Sequence, residues 1–296
     1  MGKVVSVKGR WISDKHIKVY KEGIFSNLFK AIKEDPELSL EIRMNDEAKV
    51  YYRKKKILTT SLSYSGKFKV TMLDKNYYKG KKAPSINIGD MHNLRSLTLI
   101  RKYFGEAKRL VYFNTVGEEF SFQQSIALGN HSFANRFLVV DMEWEFSQAG
   151  IKSSDRIKIT RPDLVIVDTE KNENGFNDIY LAELKVGTGA KDGKSGIIDH
   201  VDKTFNIIQK PEACAALIND VKSIIANKID LGIITGEPKE FHYDERPKMM
   251  LISAYRGEME REELEKEAQK ACVEAERIGM EKPVCILYNA LINIKL

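Results

Sequence analysis

Arg161-Pro162-Asp163-Leu164-Val165-Ile166-Val167 and, a little further on, Ile179-Tyr180-Leu181-Ala182-Glu183-Leu184-Lys185-Val186 decide how this chain folds. Both are rich in β-branched and large apolar residues, the composition of buried strands. Between them stands Glu173-Asn174-Gly175, a cluster of the kind that closes β-hairpins. Folding at that turn predicts Asp163 roughly opposite Glu183 and Lys185. Side chains alternate along a strand, so Glu183 and Lys185 share one face while Ala182, Leu184 and Val186 take the other. Two carboxylates and one lysine then converge at one end of a hairpin. An ion pair on an exposed hairpin explains the charges but not their setting inside apolar strands. A hard-cation site with an ammonium beside it explains both, and suggests metal-dependent phosphodiester cleavage.

Working outward, the periodicity predicts a helix over about 116–129, a strand over 137–146, the hairpin, a helix over 195–227 and strands at 231–235 and near 249–254. A highly charged helix over 258–277, with Glu262 and Lys266 at i,i+4 spacing, and a final strand over 284–296 close the chain. Toward the N-terminus, Trp11 and the alternating His16-Ile-Lys-Val-Tyr20 predict short strands. Ile24, Leu28, Phe29 and Ile32 are spaced as on a helix, which Glu34-Asp35-Pro36 stops. Four strands follow between residues 38 and 72, separated by short turns, and predict an antiparallel meander. A polar loop over 76–90 and a helix over about 94–104 complete this part. The expectation is an α/β (α+β mixed) chain of two domains, residues 1–110 and 111–296.

Pro162-Asp163 followed by Glu183-x-Lys185 on neighbouring strands resembles the PD-(D/E)XK nuclease superfamily, over residues of about 115 to 236. The stretch from Lys185 through Gly193-Lys194-Ser195 to His200 is also similar to bacterial members of it. The resemblance implies a restriction-endonuclease-like core, αβββαβ in order around a mixed central sheet, behind a smaller α+β domain. It also implies Mg²⁺ or Mn²⁺ held by Asp163, Glu183 and the backbone carbonyl of Leu184, with Lys185 positioning the attacking water or stabilising the phosphate. Many members add a glutamate from the helix before the first strand. Glu119 is the candidate, with Gln123 one turn later and Glu118 an alternative, while Asp141 and Glu143 are further carboxylates. Ser195, His200 and Gln209 are the expected substrate contacts after the hairpin. The substrate implied is DNA, cut by endonuclease rather than exonuclease action.

Composition sets the bounds. With 43% hydrophobic and 30% charged residues the chain can bury a substantial core, and no run nears the roughly 18 apolar residues that span a bilayer. The N-terminus has charges but no apolar core of a secretory signal. Cys214, Cys272 and Cys285 are odd in number and widely spaced, which argues for thiols rather than disulfides or a zinc set and fits a cytoplasmic setting. Residues 1–110 carry 25 Lys and Arg against 11 Asp and Glu, whereas the remainder carries 23 against 31. A basic third joined to an acidic body fits a polyanion grip beside a carboxylate site. Tyr51-Tyr52-Arg53-Lys54-Lys55-Lys56 and Tyr77-Tyr78-Lys79-Gly80-Lys81-Lys82 interleave aromatics with cations, so Lys54, Lys55 and Lys81 are candidate nucleic-acid contacts. The other reading packs those tyrosines inward and leaves the lysines as a solvated rim. Nucleic acid is the expected partner, with a second copy of the chain in a homodimer as another. Two rival functions remain: a nucleic-acid-binding protein that keeps the fold without turnover, and a nucleotide hydrolase using the glycine-rich loop 187–195, whose glycines miss the Walker A spacing by one.

Overall fold

In the computed structural model, which describes residues 9–63, 65–114, 118–146, 159, 161–187 and 196–290, the chain is a mixed α/β protein built on two sheets. Internal contacts gather it into two units, residues up to 132 with 219–236, and residues 133–218 with 237–296. The boundary expected near residue 110 falls inside a helix. No helix among the described residues is long and apolar enough to cross a membrane.

The first unit opens with a helix, α1 (Asp14–Lys21), where the alternation of His16 to Tyr20 predicts a strand. The Ser13 hydroxyl caps it by accepting from the His16 amide, and His16, Ile17 and Tyr20 form the buried face at helical spacing. A capping serine therefore outweighs a weak period-two pattern. Helix α2 (Ser26–Glu34) leads into the antiparallel meander β1 (Ser39–Arg43), β2 (Glu47–Tyr52), β3 (Lys55–Leu62) and β4 (Phe68–Thr71). Asn45 and Asp46 between β1 and β2, and Arg53 and Lys54 between β2 and β3, all take positive φ, as tight hairpin turns demand. Helices α3 (Leu97–Asn114) and α4 (Glu119–Gly129) follow. The Gln124 amide ties α4 to the sheet, accepting from the Lys54 amide at 3.1 Å and donating to the carbonyls of Glu37 and Tyr51 at 2.5 and 3.0 Å.

Two buried polar clusters hold this unit together. Asp46 accepts from the Ser13 amide and hydroxyl and bonds His16 Nδ1 at 2.9 Å; His16 Nε2 reaches the Thr60 hydroxyl, which also meets the Tyr20 hydroxyl at 2.6 Å. Burial alone would raise the Asp46 carboxyl, but these donors outweigh it and hold the group below its usual range. A second cluster pairs Lys228 with Glu41 at 2.7 Å, both side chains about 5% exposed.

The second unit holds the other sheet, in the order β5 (Phe137–Met142), β6 (Leu164–Lys171), β7 (Asn177–Val186), β8 (Lys248–Tyr255) and β9 (Val284–Asn289). The first three strands run antiparallel, and β8 and β9 join parallel to β7. Asn172 closes the β6–β7 hairpin: its side-chain oxygen accepts from the Asn174 and Phe176 amides, and Gly175 takes φ +81°. Helices α5 (Ile197–Ile208) and α7 (Glu258–Arg277) pack Ile197, Val201, Ala271 and Ala275 against Met249 and Leu251 of β8.

Two sequence expectations need correction. The helix predicted over 195–227 is broken into α5 and α6 (Pro211–Asp230), because a proline cannot continue the α5 ladder but starts a new helix readily. No strand forms at 231–235. Helix α6 runs on to Asp230, Gly232 at φ +69° turns the chain, and the amides of Gly232 and Ile233 bond back to Ile229 and Lys228. Only an isolated bridge from Thr235 to Ser132 remains there.

Replacing Lys228 by alanine leaves the Glu41 carboxylate buried without its ammonium, and is expected to cost about 3–5 kcal/mol in urea denaturation; a loss under 1 kcal/mol contradicts the pairing. Because Asp46 has a depressed pKa when folded, its contribution is present above the unfolded carboxylate value of about 4 and fades as pH falls through the folded value. Melting temperature should therefore drop on acidification more steeply for the wild type than for Asp46→Asn.

Candidate functional site

The site is assembled by the hairpin register. Leu164 pairs with Ala182 and Val165 with Leu181, so Asp163, one residue before β6, stands at the position opposite Glu183. Directly opposite residues on antiparallel strands point to the same side with Cβ atoms roughly 5 Å apart. Asp163 and Glu183 are 6% and 2% exposed, two carboxyl groups almost removed from water. Lys185, two residues on from Glu183 and half-buried, shares that face and pairs in register with Ser253 of β8.

Backbone geometry fixes the acids further. The Leu184 amide donates to Asp163 Oδ2 at 2.9 Å, so the aspartate caps the edge of β7 just past the last paired residue of β6. Amide and carbonyl of one strand residue leave the backbone on the same side. The Leu184 carbonyl therefore emerges along the edge that carries Asp163, while Gly187 donates across the other edge to Ala254 of β8. On the other flank the Glu143 amide donates to the Asp163 carbonyl at 3.1 Å. Glu143 itself takes φ +54°, a left-handed conformation that costs about 1 kcal/mol for a residue with a Cβ. Such strain beside paired acids is the kind that functional sites retain. Asp141, 1% exposed, pairs with Val165 and therefore lies on the same face as Asp163.

His200, in the first turn of α5, bonds Glu183 Oε1 through Nδ1 at 3.0 Å. That contact fixes the carboxylate's rotamer from the helix covering the sheet. Gln209 caps the other end of α5, nine residues on and about 13 Å away along the axis, so it does not join His200 at the acids. It lines a separate cavity of about 220 Å³ with Phe205, Arg246, Lys248 and Met280.

Glu119 and Gln123 belong to the first unit, Glu119 as the half-buried first residue of α4 and Gln123 fully buried on the same helix. The three lysines also lie there. Lys54 and Lys55 stand over the Phe120 ring at 5.4 and 4.3 Å; Lys81 stands 5.9 Å over Phe113 and donates to Asn114 Oδ1 at 3.3 Å. Of the tyrosines beside them, Tyr52 is buried, and Tyr51, half-buried on the other face of β2, accepts from the Arg43 guanidinium. Ser195, with the glycine loop from 188 onward, falls outside the described residues. Sequence reasoning missed Tyr112 and Phe113, exposed at the end of α3; their signal was an aromatic pair falling off that helix's apolar stripe.

The donor set suits a hard cation. Among the described residues no group of three or more His, Cys, Asp or Glu side chains is placed to hold a metal ion. Magnesium does not require one, because it keeps several waters and takes one or two carboxylates, to which a carbonyl such as that of Leu184 adds a third hard oxygen. Nothing matches the chain in comparisons with protein-family models, with curated proteins or with solved structures.

Asp163→Ala strips the Leu184 amide of its acceptor and should cost about 1–3 kcal/mol in urea denaturation, whereas Asp163→Asn, which keeps an oxygen there, should cost less; equal losses for the two variants contradict the role given to this bond.

Proposed function

We propose that the chain is a metal-dependent nuclease that hydrolyses phosphodiester bonds of DNA, with Asp163, Glu183 and Lys185 at its centre. One observation carries this reading: two nearly water-free carboxylates are held opposite each other on adjacent strands, with an ammonium two residues along on the same face.

The roles follow from the chemistry of each group. The Asp163 and Glu183 carboxylates and the Leu184 carbonyl would hold a Mg²⁺ or Mn²⁺ ion. Such an ion, when bound, lowers the pKa of its water and neutralises charge growing on the phosphate. Lys185 directs an ammonium to the same face, where it can hold the attacking water or the non-bridging phosphate oxygens; unlike a guanidinium, it can also give up its proton. His200, bonded to Glu183 Oε1, keeps that carboxylate in one rotamer. The Leu184 amide does the same for Asp163. Glu119 is not needed for this reading, which rests on residues of the second unit alone.

The order of elements supports the finer fold assignment. In the second unit the antiparallel strands β5 to β7, helix α5 and the parallel strand β8 run βββαβ, the order of a restriction-endonuclease-like core without its first helix, since α4 belongs to the first unit.

The test is incubation of supercoiled plasmid and linear duplex with the protein in Mg²⁺, in Mn²⁺ and in EDTA. Cleavage should require the metal. Asp163→Ala and Lys185→Ala should each slow it at least about 100-fold, and His200→Ala about tenfold. DNA retained on a gel but never cut, or cleavage untouched by Asp163→Ala, would refute the proposal.

A further inference from the structure

Helix α3 buries Ile100, Tyr103, Phe104, Ala107, Leu110 and Val111, and then ends in two aromatic rings that its own stripe turns away from the core. Tyr112 is 57% exposed and Phe113 67% exposed. Leaving a phenylalanine in water forgoes most of the stabilisation its burial would bring, so folding alone gives no reason for the pair. The two rings meet edge to face, with centroids 5.7 Å apart and planes at 85°. Each also carries a cation: the Arg53 guanidinium lies 5.1 Å from the Tyr112 centroid, and the Lys81 ammonium 5.9 Å from that of Phe113.

The setting around the rings is cationic. Arg53 is anchored by a 2.7 Å bond from its Nε to the Ser121 hydroxyl, and Lys54 and Lys55 stand over the neighbouring Phe120. Glu118 and Glu119 at the start of α4 are the acids nearest in sequence to Phe120 and are outnumbered by these cations. All of these residues belong to the first unit, whose residues 1–110 hold 25 basic side chains against 11 acidic ones.

From this we infer that the surface around Tyr112 and Phe113 binds an unpaired polynucleotide strand, bases stacking on the open ring faces while Arg53, Lys54, Lys55 and Lys81 meet the phosphates. Both rings are more than half exposed and each has a cation beside it, which is what a stacking platform needs: a base stacks on exposed ring surface, and the cation sits within a nucleotide's reach of the backbone. A duplex hides its base faces and could use only the cations. A protein partner fits less well, since lysine is depleted from the cores of protein interfaces. The inference rests on the nucleic-acid half of the nuclease reading but not on its chemistry, and assigns substrates with an unpaired segment to the site in the second unit.

The test is fluorescence anisotropy with the full chain in EDTA, so that binding is read without cleavage and a failure of the nuclease chemistry leaves the result intact. Labelled oligo-dT and oligo-U of about 20 nucleotides are compared with a blunt duplex of the same length. A single strand of at least one type should bind more tightly than the duplex. Tyr112→Ala/Phe113→Ala should weaken that binding at least about tenfold and leave duplex binding within twofold. Lys55→Ala/Lys81→Ala should lower the slope of log affinity against log salt by roughly 1.4 for single strands. Circular dichroism melts matching wild type establish that the variants fold. Single-strand binding unchanged by Tyr112→Ala/Phe113→Ala, or no preference for single strand over duplex, overturns the inference.

Discussion

The bond from the Leu184 amide to the Asp163 carboxylate is the contact on which the candidate site depends. It ends the β6–β7 ladder with a side chain in place of a backbone partner. In doing so it satisfies an amide that would otherwise be left without a partner at the strand edge, where an unpaired buried donor is costly. The same bond holds the Asp163 carboxylate against the Leu184 backbone, on the edge from which the Leu184 carbonyl also emerges. A shift of the hairpin by one residue would send Glu183 and Lys185 to the opposite face and dissolve the arrangement. The Asn172 side chain at the far end of the hairpin, by fixing the turn, therefore helps to set the geometry of acids nine and eleven residues away.

Stability and function pull in different directions here. Asp141, Asp163 and Glu183 bring three nearly buried carboxylates to one face of three neighbouring strands, and Glu143 adds backbone strain. The surrounding structure over-determines these costs: β6 is buried along six residues and β7 along eight, and α5 delivers His200 onto Glu183. A rigid apolar sheet that holds buried acids in fixed register is the scaffold that the proposed cation site would need. The first unit shows a different use of polar burial. Its Ser13–Asp46–His16–Thr60–Tyr20 chain and its Lys228–Glu41 pair are satisfied locally and read as structural.

Much of this was legible in the sequence, and the reasons differ by element. The β6–β7 hairpin and the meander are written in short-range alternation and turn residues, and α7 in its charged 3.6-residue pattern, found from Glu258 to Arg277. Residues 14–21 mislead because alternation over five residues is as compatible with a short capped helix. Residues 231–235 are apolar and β-branched, yet Gly232 spends them on ending α6. The positions of Asp163, Glu183 and Lys185 on one face follow from register alone. That His200 meets Glu183 while Gln209 does not depends on how a helix lies across a sheet, which spacing along the chain does not encode. The burial of Tyr52, and the exposure of Tyr112 and Phe113, are likewise decided by tertiary packing.

Anomalous diffraction from crystals soaked in MnCl₂ tests the central claim most directly. The account predicts a manganese peak in coordination range of the Asp163 and Glu183 carboxylates and the Leu184 carbonyl, absent from Asp163→Ala crystals. Soaked crystals that diffract well, carry manganese elsewhere and leave those three oxygens without a peak would contradict it.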